Sequence, residues 1–251
     1  MNSSRAETDG REVSLDALLG GRVRLLQPKG GLRAAIDPVL LAASVPAKAG
    51  ESVLEVGCGS GAAALCLAAR VADVQVTGFD LQADLVALAC ESAGLNRVAD
   101  RVSFLAGDLL DPPPELSQRW FDHVMANPPF SRAGSGRISP DPGKALASIE
   151  GPADLAAWVD FCVFRVKAGG SITFIHRADR AGEVAGLFAA AALETVVFPL
   201  GPKRVLIQGN KKSTGSVTYI SGLDLHQTDG QFSPKADAIL RGGGALVLAS
   251  H

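Results

Sequence analysis

The chain has 251 residues, 47% of them hydrophobic, and a formal net charge of −2 at pH 7. This length suits one large α/β domain with a substantial core, and the charge excludes a globally basic nucleic-acid binder. Cys58, Cys66, Cys90 and Cys162 have no C-x-x-C spacing, which predicts reduced thiols in a cytoplasmic protein. No run approaches the roughly 18 apolar residues of a membrane span, and no apolar signal region opens the chain, so no membrane association is expected.

The N-terminal part predicts a tail and an extension. Residues 1–12 are polar and predict a disordered tail, and residues 13–251 predict a single domain. Within that domain, residues 13–26 predict a short helix and then a strand, and residues 34–43 predict a helix. We expect residues 13–49 to form an extension that packs on the core.

A strand, a glycine-rich turn and a helix follow one another between residues 52 and 70, and the turn reads Gly57-Cys58-Gly59-Ser60-Gly61. Glycines let a backbone approach a ligand closely, and a helix N-terminus supplies unpaired N–H groups. A second strand over residues 74–79 ends at Asp80, where an acidic residue is placed to bind the two hydroxyls of a ribose. The unit therefore predicts a site for an adenosine cofactor.

The carboxylate of Glu55 separates two kinds of adenosine cofactor. It stands two residues before the first glycine of a turn that does not match the G-x-G-x-x-G dehydrogenase pattern, in which a pyrophosphate sits on the helix N-terminus. A carboxylate is a poor neighbour for a pyrophosphate but suits a ligand with a cationic ammonium and sulfonium. The pattern favours S-adenosylmethionine; the alternative is that Glu55 is a solvated strand residue.

A third strand, over residues 102–106, ends in Gly107-Asp108-Leu109. Asp108 is placed to accept a hydrogen bond from the exocyclic amine of adenine, and Leu109 to lie against the ring. The alternative for Asp108 is a helix cap or a turn former.

Strands and helices alternate through the rest of the chain. Helical stretches at 84–94 and 154–167 separate the strands, which predicts a doubly wound, mostly parallel α/β sheet. Later strands would complete the sheet with an antiparallel edge, the last two, at 205–208 and 216–220, as a hairpin. The ligand crevice of such a sheet lies outside the carboxyl ends of its strands. Four candidate residues follow strand ends and are expected to converge there: Gly57, Asp80, Asp108 and Asn127.

The strand-like run 121–126 ends abruptly in Asn127-Pro128-Pro129-Phe130. Neither proline offers an N–H, and Pro129 disfavours helical angles at Pro128, so the chain turns in a stiff elbow. The elbow presents an amide side chain, a carbonyl and an aromatic ring, a set that suits a planar –NH2 group. The alternative is a turn in which the asparagine caps and the prolines only break the strand.

These segments resemble the motif series of class I S-adenosylmethionine-dependent methyltransferases, a Rossmann-like fold with a seven-stranded sheet. Within that class, N-P-P-[YF] marks enzymes that methylate planar amino nitrogens: adenine N6, guanine N2, or the amide of glutamine in release factors. The segments at 33–42, 175–180 and 203–207 resemble the bacterial valine-tRNA (adenine-N6) methyltransferase family. The chain departs from the pattern at Phe130, where adenine enzymes often have Tyr, and at Ile36, where Thr or Ser is common.

The resemblance implies direct methyl transfer from S-adenosylmethionine to adenine N6 of a tRNA, with protein glutamine or guanine N2 of rRNA as alternative acceptors. Asn127 Oδ1 and the Pro128 carbonyl would accept the two amine hydrogens, and Phe130 would stack on the base. The implied catalytic residues are Asn127, Pro128, Pro129 and Phe130. The implied cofactor-binding residues are Asp37, Glu55, Gly57, Cys58, Gly59, Ser60, Gly61, Asp80, Leu81, Gly107, Asp108, Leu109 and Asn127.

Contacts with RNA phosphates are predicted for basic residues along one rim: Arg33, Arg132, Arg177, Lys203 and Arg204. For each of them the alternative is ordinary solvated surface. Residues 131–151 are predicted to form a flap that substrate orders. The four histidines lack ligand spacing, so no metal site is expected. A non-catalytic RNA-binding protein that keeps the fold is an alternative of another class, against which the intact 127–130 segment argues.

Overall fold

The computed structural model describes residues 12–30, 33–130, 150–212 and 215–248. Most of the predicted tail, Arg132 and nearly all of the predicted flap lie outside these ranges. Within them, a two-stranded hairpin precedes a large sheet that carries helices on both faces. No helix in the described ranges is both long and apolar enough to cross a membrane.

The elements alternate as the sequence predicts. The hairpin consists of β1 (Val13–Leu18) and β2 (Val23–Pro28). The strands of the large sheet are β3 (Ser52–Val56), β4 (Gln75–Asp80), β5 (Val102–Ala106), β6 (Phe121–Ala126), β7 (Val166–Arg177), β8 (Glu194–Leu200), β9 (Arg204–Asn210) and β10 (Val217–Tyr219). The helices are α1 (Ile36–Ser44), α2 (Ala62–Arg70), α3 (Ala83–Leu95), α4 (Leu155–Arg165), α5 (Ala181–Ala190) and α6 (Pro234–Leu240).

The large sheet has the strand order β10-β8-β9-β7-β6-β3-β4-β5. Strands β3 to β7 run parallel to one another, and β9 runs antiparallel between β7 and β8. The predicted doubly wound, mostly parallel sheet is therefore confirmed. A short eighth strand, β10, pairs parallel with β8 and extends the expected seven strands.

Two sequence predictions about strands are wrong. The last two strands, β9 and β10, form no hairpin, because β9 lies between β7 and β8 in the sheet. The hairpin is instead formed by β8 and β9, and Gly201 lies in its turn with a φ of +65°. The short helix expected after Val13 is strand β1, which pairs antiparallel with β2. Gly20 and Gly21 lie in the turn of this hairpin, where both have positive φ.

The sheet separates two hydrophobic clusters because successive strand residues point to opposite faces. On one face, Val53 packs with α1, α2, the hairpin and α6. On the other, Leu54 packs with α4, α5 and several phenylalanines. With helices covering both faces, the carboxyl ends of β3, β4, β5 and β6 remain as the open edge at which ligands bind.

Candidate active site

A cleft of about 380 Å³ opens at the carboxyl ends of β3 to β6, a volume within the range of small-molecule sites. It brings together most of the residues that the sequence singled out. Those that line it are Asp37, Glu55, Gly57, Cys58, Gly59, Ser60, Asp80, Leu81, Gly107, Asp108, Leu109, Asn127, Pro129 and Phe130. Gly61 and Pro128 are buried beside the cleft and are not part of its lining.

The three glycines of the turn after β3 have positive φ but different surroundings. A Cβ on Gly57 would lie 2.5 Å from Trp158 Cη2, and a Cβ on Gly61 would lie 2.6 Å from Phe104 Cζ. A Cβ on Gly59 would meet no atom within 4 Å. Packing against neighbouring side chains therefore requires glycine at the first and third positions, whereas the middle glycine leaves space inside the cleft.

The carboxylate of Asp80 is held by backbone donors at the end of β4. Its Oδ2 accepts a hydrogen bond from Gly59 N at 2.8 Å, and its Oδ1 accepts one from Gln82 N at 2.9 Å. These bonds fix the carboxylate beside the glycine turn, and its two oxygens keep further lone pairs for a ligand. Burial raises the pKa of Asp80.

Glu55 is 4% exposed, so the alternative of a solvated strand residue is wrong. Its Oε2 accepts a hydrogen bond from Ala64 N in α2 at 2.8 Å. Burial raises the pKa of Glu55 to about 8, with the nearby Asp80 carboxylate acting in the same direction. A cationic group in the cleft would relieve both effects, because it favours the ionised form.

Asp108 is a turn former, as one interpretation of the sequence has it, and it also lies at the cleft. Its Oδ1 accepts a hydrogen bond from Leu110 N at 2.9 Å, so it stabilises the turn after β5, and it also lines the cleft. Leu109 lies beside it in the lining.

At the other end of the cleft, the Asn127 Oδ1 atom is buried and has no hydrogen-bond partner among the described residues. Phe130 contributes an aromatic ring next to it. The His176 ring meets Phe130 edge-on, with 5.3 Å between centroids and 75° between planes. Burial lowers the pKa of His176 to about 4, so this ring is neutral at pH 7.

Several contacts between residues of the site were not predicted from the sequence. Arg204 Nε donates to Asp37 Oδ2 at 2.8 Å, and its Cζ lies 4.6 Å from the centroid of the Phe130 ring. Arg180 pairs with Glu150 in a nearly buried ion pair. Arg180 Nη1 also donates to the Phe130 carbonyl at 3.4 Å. These contacts join residues 30 to 167 positions apart, so no local pattern signals them.

The basic residues predicted along the rim do not share one environment. Arg33 and Arg204 line the cleft, whereas Arg177 and Lys203 do not. Each of the three arginines forms an ion pair: Arg33 with Asp16, Arg177 with Asp179, and Arg204 with Asp37. In the described ranges no group of three or more His, Cys, Asp or Glu side chains is suited to hold a metal ion.

Comparison with known families places this cleft in context. The family model of the methyltransferase small domain matches residues 34–139, which span β3 to β6 and the 127–130 elbow. A protein from Porphyromonas gingivalis named tRNA1(Val) (adenine(37)-N6)-methyltransferase is 27% identical over 220 residues, covering 81% of this chain and 85% of the relative. An Enterobacter protein of the same name is 32% identical over 157 residues, covering 59% of this chain and 63% of the relative.

Other relatives share the fold or the elbow region. A release factor glutamine methyltransferase from Bordetella pertussis is 32% identical over 155 residues, covering 59% of this chain and 56% of the relative. Among solved structures, one described as an O-methyltransferase from Agrobacterium tumefaciens superposes with a TM-score of 0.67 at 21% identity, covering 84% of this chain and 98% of that one. The family model and the relatives are methyltransferases by name, which makes the chain a methyltransferase, and the solved structure shares its fold.

Proposed function

We propose that the chain transfers the methyl group of S-adenosylmethionine to N6 of an adenine in a tRNA. The observation that carries the proposal is the buried, unpartnered Asn127 Oδ1 atom in the cleft wall. An unsatisfied buried acceptor costs about 1–3 kcal/mol, and such a cost is typical of functional sites where a ligand supplies the missing donor. An exocyclic amine is a donor of the required kind.

The hydrogen-bond acceptors and the shape of the cleft support binding of this cofactor. Glu55 would bind the cationic amino acid end, Asp80 the ribose hydroxyls, and Asp108 the adenine amine, while Gly59 leaves space above the turn. When bound, S-adenosylmethionine would supply an electrophilic methyl group on a positively charged sulfur, with a neutral thioether as the leaving group and the proton of the acceptor nitrogen lost to water. The buried carboxylate of Glu55 would favour a cation in the cleft, because no basic side chain among the described residues forms an ion pair with it.

The residues of the elbow would prepare the acceptor nitrogen. The lone pair of an aromatic amine is delocalised into the ring, so the nitrogen is a poor nucleophile. A hydrogen bond from the amine to Asn127 Oδ1 draws a proton out of the ring plane and frees the lone pair, and the same oxygen stabilises the positive charge that develops on nitrogen. Phe130 would hold the base by stacking, and the fixed orientation supplies much of the rate.

A tRNA is the acceptor that the relatives favour. Both relatives cited above with the adenine(37)-N6 name act, by that name, on tRNA1(Val). A base in a single-stranded loop costs least to unstack, and an enzyme that works on a base must take it out of the stack. We therefore propose an adenine in a tRNA loop.

Protein glutamine is the second candidate acceptor. The relative from Bordetella pertussis is by name a release factor glutamine methyltransferase, and an amide –NH2 offers Asn127 the same planar donor.

The test is transfer of labelled methyl from S-adenosylmethionine to total tRNA that lacks this modification, followed by digestion to nucleosides. The proposal expects the label in N6-methyladenosine. Label in N2-methylguanosine, or label only in a release factor added in parallel, would replace adenine by one of the other acceptors. Tight cofactor binding with no transfer to RNA or protein would contradict the proposal.

A further inference from the structure

Phe130 has a charged neighbour that neither the cofactor nor the transferred group requires. The guanidinium of Arg204 lies over its ring at 4.6 Å from the centroid. Arg204 opens β9, and Phe130 follows β6. The strand between them in the sheet is β7, so the contact bridges two non-adjacent strands at the mouth of the cleft.

Arg204 is itself fixed by a second element. Its Nε donates to Asp37 Oδ2 at 2.8 Å, and Asp37 lies in the first turn of α1. The two side chains are 29% and 16% exposed, so water screens the ion pair only in part. A planar guanidinium that is held at one edge keeps its flat face available for an aromatic ring.

The backbone of Phe130 is held from a different direction. Arg180 Nη1 donates to the Phe130 carbonyl at 3.4 Å, and Arg180 is anchored by Glu150 and Glu183. One arginine thus contacts the main chain of Phe130, and another contacts its ring. Together the two contacts fix both the backbone and the side chain of this residue.

We propose that Arg204, anchored by Asp37, is the positioning residue that holds the Phe130 ring as the stacking platform for the acceptor base. The inference rests on the proposed function, and it gives Asp37 and Arg204 roles other than those implied by the family resemblance, cofactor binding and phosphate binding. As a positioning residue, Arg204 acts on the acceptor through Phe130. Its loss should therefore weaken acceptor binding and leave cofactor binding unchanged.

The first experiment is a double-mutant cycle on the unfolding equilibrium of the full chain with Arg204→Ala, Phe130→Leu and the double variant. It requires no substrate. A cation–π contact of this kind predicts a coupling of about threefold in the unfolding equilibrium constant. Coupling indistinguishable from one would overturn the proposal, whatever the enzyme methylates.

The second experiment measures methyl transfer to tRNA by Arg204→Ala, Arg204→Lys and Asp37→Asn. For Arg204→Ala we expect a rise of about tenfold in the KM for tRNA, with kcat and the cofactor Kd changed by less than about threefold. Arg204→Lys should not restore KM, because an ammonium lacks the planar face. Asp37→Asn should raise the KM for tRNA by about threefold.

Arg119→Ala is the matched control. The Arg119 guanidinium lies 5.0 Å from the centroid of the Phe121 ring at the start of β6, away from the cleft, so this variant should leave the KM for tRNA unchanged.

Three results would overturn the proposal while leaving the proposed function intact. Full rescue by lysine, or a salt slope of KM reduced by about 1 in Arg204→Ala, would make Arg204 a phosphate ligand. A weaker cofactor Kd in Asp37→Asn with an unchanged KM for tRNA would make Asp37 a cofactor ligand. If the unmodified enzyme transfers no methyl to any RNA, the proposed function fails, and with it the role of Phe130 as a platform for a base.

Discussion

Glu55 and Asn127 each bury an oxygen at a free-energy cost. Glu55 keeps a carboxyl group at 4% exposure with a single hydrogen bond from Ala64, and Asn127 keeps an oxygen with no partner among the described residues. Neither arrangement stabilises the free protein. Both would become favourable with a cation and an amine donor in the cleft, as the proposed function requires.

The pH dependence of stability tests the burial of Glu55. Burial raises its pKa to about 8 in the folded protein from the ordinary value of about 4.5. The unfolded chain therefore releases this proton at lower pH than the folded chain, so the contribution of Glu55 to stability falls as pH rises from about 4.5 to about 8. Without cofactor, Glu55→Gln should raise the free energy of unfolding relative to the unmodified protein by about 3 kcal/mol more at pH 8 than at pH 5. Urea unfolding at both pH values measures this, and an equal effect at the two would contradict it.

At the scale of elements, the glycines of the β3–α2 turn differ in what surrounds them. Gly57 lies against Trp158 of α4, so it links the β3–α2 turn to a helix on the face of the sheet opposite to α2. Gly59 faces open space, and its N–H donates a hydrogen bond to the Asp80 carboxylate. The same turn thus contains one position that serves packing and one that serves the ligand.

Alanine substitutions separate these two roles. Both Gly57→Ala and Gly59→Ala place a side chain at positive φ, which costs about 1–2 kcal/mol. Gly57→Ala also drives a methyl group into Trp158, so it should destabilise the protein by a further 1–3 kcal/mol or so. Gly59→Ala should keep most of the stability and lose cofactor affinity, because its methyl group projects into the cleft. Thermal unfolding and calorimetric titration with S-adenosylmethionine measure the pair, and equal losses of stability would contradict this division.

At the scale of the whole molecule, we propose that the hairpin and α1 form an N-terminal extension of one domain. Leu19, Val23 and Leu25 of this segment are buried in the cluster that also contains residues of α1, α2 and α6. Arg22 Nη2 donates to the Gly242 carbonyl at 2.6 Å, which ties the hairpin to the C-terminal region. A shared cluster of this kind predicts a single cooperative unfolding transition.

Two leucines of the hairpin test the extension. Leu25 is fully buried and Leu15 is 50% exposed. Leu25→Ala should lower the free energy of unfolding of the whole chain by about 2–5 kcal/mol, whereas Leu15→Ala should change it by less than about 0.5 kcal/mol. Denaturant unfolding followed by tryptophan fluorescence reports on Trp158, in the opposite cluster. Loss of hairpin structure without any shift of that transition would contradict a single domain.

The residues that the sequence predicted are those set by local rules. The ends of β3, β4, β5 and β6 follow from apolar runs with abrupt stops, and parallel strands bring Gly57, Asp80, Asp108 and Asn127 to one edge. The contacts that it missed depend on tertiary packing. The Arg204–Asp37 pair requires β9 to lie beside β7, and strand β1 pairs with β2 where a short helix was expected.

The measurement that tests the account most directly is the turnover number of Asn127→Ala with tRNA as acceptor, alongside its Kd for S-adenosylmethionine. Loss of one preoriented acceptor should lower kcat by about 10²–10³-fold, with the cofactor Kd changed by less than about threefold. The free energy of unfolding should not fall, because the substitution removes a buried oxygen, Asn127 Oδ1, that has no hydrogen-bond partner among the described residues. Transfer to adenine N6 at an unchanged kcat would contradict the assignment of Asn127 as the group that orients the acceptor nitrogen.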